Sequence, residues 1–125
     1  MKFKLFAAGL LFFPAVASAQ SMNAQVFHNR ATALQKKGAL AIFSRGEIKA
    51  LMAEGQAAGK KAREQRLAAV AAGQKPRFCP PNQPVSINSD EFMKRLAAIP
   101  QAERSRIDMT EATVRILTQK FPCRA

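Results

Sequence analysis

Hydrophobic and polar positions along this chain recur mostly at helical spacing, and three stretches repeat one helix-start signature. In "FSRGEI", Ser44 is placed to cap a helix, Glu47 to reach back to it three residues on, and Phe43 to pack on Ile48 as a hydrophobic staple. In "INSDEF" the same roles fall to Asn88, Glu91, Ile87 and Phe92, and in "IDMTEA" to Asp108, Glu111, Ile107 and Ala112. Strand signals are weak throughout. The pattern predicts an all-α domain, a small bundle of about four helices.

The helix opened at Ser44 is expected to run to about residue 72, carrying Ile48, Leu51, Met52, Ala58, Ala62, Leu67 and Val70 at helical spacing. Gly55 and Gly59 stand four apart inside it. A glycine in a soluble helix costs about 1 kcal/mol relative to alanine, so the pair reads as a helix-packing surface, met within the monomer or across a homodimer. The other face carries Lys60, Lys61, Arg63 and Arg66, with Glu64 placed to pair with one of the lysines. Ahead of it, a first helix puts Phe27, Ala31 and Leu34 on one face and stops at Gly38.

After Gly73 the prolines at 76, 80, 81 and 84 exclude helix interior and central strand, so 73–87 is an extended connector. A third helix over 88–99 buries Phe92, Met93, Leu96 and Ile99, and Pro100 halts it. "PQAER" makes at most one turn. A fourth helix over 109–120 follows, with Thr110, Val114, Leu117 and Phe121 along one stripe.

The first 19 residues change the picture. Two lysines, an apolar run from Leu5 to Val16 and the small residues Ala17, Ser18 and Ala19 form a secretory signal peptide of bacterial type. The run is shorter than the roughly 20 residues that span a bilayer as a helix, and no later segment comes closer. The expected product is a periplasmic protein starting near Gln20, one helical domain of 106 residues: basic helices over 26–72, the connector, and C-terminal helices over 88–123.

Without Lys2 and Lys4 the chain holds 18 basic against 8 acidic residues, a net charge of +10. The excess lies in the first half, 11 against 3 up to Phe78, compared with 7 against 5 afterwards. No aromatic residues are interleaved with the cations to stack on bases, and an exported protein rarely meets nucleic acid, so none is expected as a partner. Acidic partners in the envelope fit better: a protein surface, peptidoglycan carboxylates or lipid headgroups. A solvated surface with no specific role is the plain alternative.

Candidate chemistry is sparse. Structural zinc needs four ligands, and the mature chain offers two cysteines and His28. No metal or cofactor is expected. Asp90 and Glu91 sit in a first helical turn, where acids serve as caps and favour the helix dipole. There is no phosphate-cradling glycine loop, and the protein reads as a non-enzyme with no catalytic residue. In an oxidising compartment two cysteines more often pair with each other than act as nucleophiles. A disulfide joining Cys79 in "RFCPPNQP" to Cys123 in "KFPCRA" closes a 45-residue loop, which chain-entropy reasoning values at about 4 kcal/mol.

The stretch from Phe78 to Cys123 resembles the C-terminal signature of the Tai-like amidase immunity proteins of bacterial type VI secretion. The elements that match are Cys79, Pro80, Pro81, Ser86, Pro100, Phe121, Pro122 and Cys123. The resemblance implies a small disulfide-bonded helical periplasmic protein that occludes the active site of a peptidoglycan-cleaving amidase by protein–protein contact. The candidate partner surface is the connector with neighbouring cations: Lys60, Lys61, Arg63, Arg66, Lys75, Arg77 and Asn82. A proline-stiffened loop loses little entropy on docking, and basic residues steer an acidic partner. The competing reading is a basic envelope-associated protein held on anionic polymer or lipid. A small-ligand carrier is not expected, since so small a core rarely encloses a cavity of about 300 Å³ or more.

Overall fold

The computed structural model describes residues 21–83 and 85–124. The export signal expected over 1–19 and Pro84 lie outside them. Asn23 sets where the first helix begins, its side-chain oxygen accepting from the backbone N–H groups of Gln25 at 2.9 Å and Val26 at 3.1 Å. Helix α1, Ala24–Lys37, ends where expected. Gly38 takes a positive φ of 54° and donates its N–H to the carbonyl of Gln35, and Lys36 and Lys37 occupy the last turn, where cations favour the dipole.

A 3₁₀ turn, Gly38–Ser44, leads into α2, Arg45–Ala71. At 27 residues, α2 is about 40 Å long by the usual rise per residue. The capping box expected at Ser44 does not form. Ser44 makes no side-chain cap bond; its hydroxyl accepts from Lys37 Nζ at 3.0 Å. Glu47 turns instead to Arg30 on α1, which grips both carboxylate oxygens at 2.6 Å. Nor does Phe43 staple onto Ile48, for it is 85% exposed. An ion pair 17 residues apart outcompetes the local cap because the guanidinium gives the carboxylate two charge-assisted bonds where the cap offers one.

Helices α3, Ser89–Ala98, and α5, Met109–Lys120, start on the two remaining signatures. Asn88 and Asp108 each accept from a backbone N–H three residues on, at 2.8 Å. The acids of the two boxes do not reach back. Glu91 goes to Arg95 and Lys120, and Glu111 to Arg77 and Arg115. Between them α4, Gln101–Arg104, is the single turn that "PQAER" allows.

The core gathers on α5, which buries Met109, Thr110, Ala112, Thr113, Val114 and Ile116. That is wider than the single stripe expected from its sequence, because α5 is packed by α2 on one side and by α3 and α1 on another. The main cluster joins Phe27 of α1, Leu51 and Ala58 of α2, and Leu96 and Ile99 around α3 to Met109, Ala112 and Ile116. Phe27 meets Phe92 edge to face, centroids 6.1 Å apart. A smaller cluster, Ala62, Phe78 and Val114 with Leu117 beside it, pins the connector between α2 and α5.

Two ties close the molecule. Cys79 and Cys123 form a disulfide, with Cα atoms 4.9 Å apart, and the Cys79 N–H donates to the Phe121 carbonyl at 2.8 Å. At the other end, the Ala24 N–H donates to Ile107 at 2.9 Å and the Met109 N–H to Met22 at 2.7 Å, so residues 21–24 clip the turn between α4 and α5. Among the described residues there is no strand beyond the isolated bridge Asn23–Asp108, and no helix is long and apolar enough to cross a membrane.

Candidate functional site

Helix α2 lies along α5, while α3 packs on α5 and α1. The space left between α2 and α3 is an open groove of about 1190 Å³. Its floor and walls are apolar: Phe27, Ala31 and Leu34 from α1, Ile48, Leu51 and Met52 from α2, Phe92 and Met93 from α3. The connector closes one end through Phe78, Pro80, Pro81 and Val85, held in place by the disulfide and by burial of Phe78. A cleft of this size was not expected from so short a chain. It arises because the helices enclose it from three sides without sealing it, so it holds volume at no cost in core size.

Gly55 and Gly59 line this groove. A Cβ built on either would meet nothing within 4 Å, so the expectation of close helix packing at this pair within the monomer is corrected. Their missing side chains widen the groove along the middle of α2. Met52, on the same stretch, is 59% exposed.

Positive charge enters on one side of the apolar floor and a carboxylate on the other. Arg63 and Arg66, from the C-terminal half of α2, line the groove, as does Asn82 on the connector. Arg63 is exposed, with no ion pair among the described residues. The Arg66 guanidinium stands 5.8 Å from the Phe78 ring centroid, and its buried Nε has no hydrogen-bond partner among the described residues. On the opposite rim stands Asp90, exposed at the start of α3.

The remaining candidate residues are not brought to this site. Lys75 and Arg77 stand with Arg66 around a smaller hollow of about 210 Å³ on the other side of Phe78. Arg77 is engaged there by Glu111, two bonds of 2.6 and 2.8 Å, and this bond, with a further one from Arg115, holds the Glu111 carboxyl below its usual range against the opposing effect of burial. Lys60, exposed, and Lys61, half-buried, lie on α2 outside both hollows. The predicted basic surface is therefore divided between two hollows and the outer face of α2.

One residue went unsingled in the sequence, and a second was given another role. Arg104 is buried, donating to Gln25 Oε1 at 2.8 Å, to the Ala97 carbonyl at 3.0 Å and to that of Ile99. Burial lowers the pKa of the half-buried His28 below the usual imidazole range, and the charge of Arg104 adds to this. Glu111, read as a cap partner alone, is the acid that anchors the connector through Arg77.

The groove lining has hydroxyls at Ser89 and Thr113 but no histidine, cysteine or lysine. Among the described residues no group of three or more His, Cys, Asp or Glu stands together as metal ligands. The arrangement, an apolar channel with two guanidinium groups at one side, suits a segment that is apolar along its length and acidic at its end. No protein-family model, no curated protein and no solved structure matches the chain.

Proposed function

We propose that this is an extracytoplasmic binding protein that takes an apolar, acid-bearing segment of a protein partner into the groove between α2 and α3 and acts by occlusion, without chemistry of its own. The observation that carries this reading is the groove itself, about 1190 Å³, apolar, widened at Gly55 and Gly59 and lined by Arg63 and Arg66. Among the described residues Arg63 forms no ion pair and the buried Nε of Arg66 has no hydrogen-bond partner. A partner carboxylate entering the groove would meet the exposed Arg63 guanidinium, and the bond between them would strengthen as the partner excludes water.

The Cys79–Cys123 disulfide supports an oxidising compartment, in keeping with the export signal read in residues 1–19. The resemblance of residues 78–123 to the Tai-like immunity proteins supplies the partner class: a cell-wall amidase, with this protein as its periplasmic immunity partner. Affinity capture with the oxidised mature chain tests this. The expected result is recovery of a peptidoglycan amidase whose hydrolysis is blocked in the complex, with both effects weakened at least tenfold by R63E. Capture of amidases equal to that on a blank resin, or inhibition indifferent to R63E, would overturn it.

A further inference from the structure

The turn between α1 and α2 stands apart from this groove. None of its seven residues, Gly38–Ser44, is buried, and none lines the groove. Yet it is apolar, with Leu40 66%, Ile42 54% and Phe43 85% exposed. These side chains add nothing to the core, and exposing three neighbouring large apolar groups marks a surface that meets something else.

Charge narrows what that is. Lys36 and Lys37 precede the turn and Arg45 and Lys49 follow it, all four exposed. Lys37 also closes its base through the bond to Ser44. The one acid between residues 36 and 49 is Glu47, and Arg30 holds both its oxygens. The local charge around the apolar tip is therefore positive, with the one acid of this stretch already engaged by Arg30. A second copy meeting this face through a twofold axis would set cation against cation. A leaflet of anionic phospholipid offers what the tip lacks: acyl chains for the apolar side chains, and phosphates at the depth of the cations.

We propose that Gly38–Ser44 is a membrane-contact tip that inserts Leu40, Ile42 and Phe43 into an anionic phospholipid leaflet while Lys36, Lys37, Arg45 and Lys49 rest on the headgroups. None of the residues placed on the membrane lines the groove, so membrane contact and partner binding would use different side chains.

The chain contains no tryptophan and no tyrosine, so the F43W variant of the oxidised mature protein carries a single reporter at the tip. The probes are vesicles of phosphatidylcholine with and without phosphatidylglycerol. The expected result is flotation of the wild type with the phosphatidylglycerol vesicles, lost at high salt, and a blue-shifted F43W emission quenched by brominated acyl chains. Each of K36Q and K49Q weakens binding roughly fivefold, the worth of one cation near an anionic surface. I42S/F43S weakens it more than tenfold, with unchanged helical circular dichroism. Absence of flotation, an unquenched F43W indole, or I42S/F43S binding as well as wild type would each overturn the proposal. So would self-association of the wild type without vesicles that I42S/F43S abolishes, since that would assign the tip to a second copy. Amidase capture by I42S/F43S reads the groove separately, so the two proposals fail independently.

Discussion

Arg66 of α2 lies with its guanidinium carbon 5.8 Å from the ring centroid of Phe78, the residue immediately before Cys79. Through this contact the connector and the long helix are fixed to each other at the boundary between the two hollows. Phe78 carries the structural share, being 4% exposed between Ala62 and Val114. Arg66 is half-buried beside it, and among the described residues its buried Nε has no hydrogen-bond partner.

Truncating the ring tests the first half of that statement. F78A is expected to lose about 3–5 kcal/mol, the range for removing a buried phenylalanine, seen as a lower midpoint in urea with the disulfide intact. R66Q, which removes only a part-exposed cation–π contact, is expected to lose no more than about 1 kcal/mol. Comparable losses from the two variants would mean that Arg66 is structural.

The glycines of α2 give a prediction whose sign separates two readings. If Gly55 and Gly59 made room for a packed helix, alanine there would clash and destabilise. With open space at both positions, G55A and G59A are each expected to raise stability by about 1 kcal/mol, the helix-propensity difference. Thermal unfolding of the two variants decides it. The same variants narrow the groove, so partner affinity is expected to fall as stability rises.

Removing the staple should be costly. The C79A/C123A variant frees a loop of 45 residues, and the chain-entropy value of such a closure is about 4 kcal/mol. The expected result, by denaturant titration at equal pH, is a loss of that size with helical content retained below the transition. A loss under about 1 kcal/mol would show that Phe78 and the Cys79–Phe121 backbone bond hold the connector without help.

Acid should weaken the fold through Glu111. Its carboxyl is held below the ordinary value of 4.5 by Arg77 first, against the opposing effect of burial, and by Arg115. A group whose folded pKa is depressed adds stability that is present above the unfolded pKa and lost as pH falls through the folded one. Melting temperature is therefore expected to be flat from neutral pH to about 5 and to drop below about 4. In E111Q it is expected to start lower and drop less. Parallel curves for wild type and E111Q would remove Glu111 from this account.

Much of this architecture was legible in the chain, and the misses share a cause. The stops at Gly38 and Pro100, the caps at Asn88 and Asp108 and the pairing of Cys79 with Cys123 depend on residues a few positions apart or on the count of cysteines. Where the sequence misled, a distant group won. Glu47 left its box for Arg30 across 17 residues, and Glu111 left its own for Arg77 across 34. The groove was hidden for a related reason. Ile48, Leu51 and Met52 carry the same periodic signal whether a neighbouring helix covers them or stops short, and only the assembled packing shows that α3 stops short. The basic surface was visible as composition, but its division between two hollows depended on where Phe78 is buried.

Placing a photo-crosslinker in the groove tests the central claim most directly. With p-benzoylphenylalanine at position 52, which lines the groove, and in parallel at position 57, which is exposed on α2 outside it, the oxidised protein is irradiated in the envelope fraction. A covalent adduct with a cell-wall amidase from position 52, absent from position 57 and lost when R63E is added, is the predicted result. An amidase adduct from position 57 with none from position 52 would contradict the groove as the binding site.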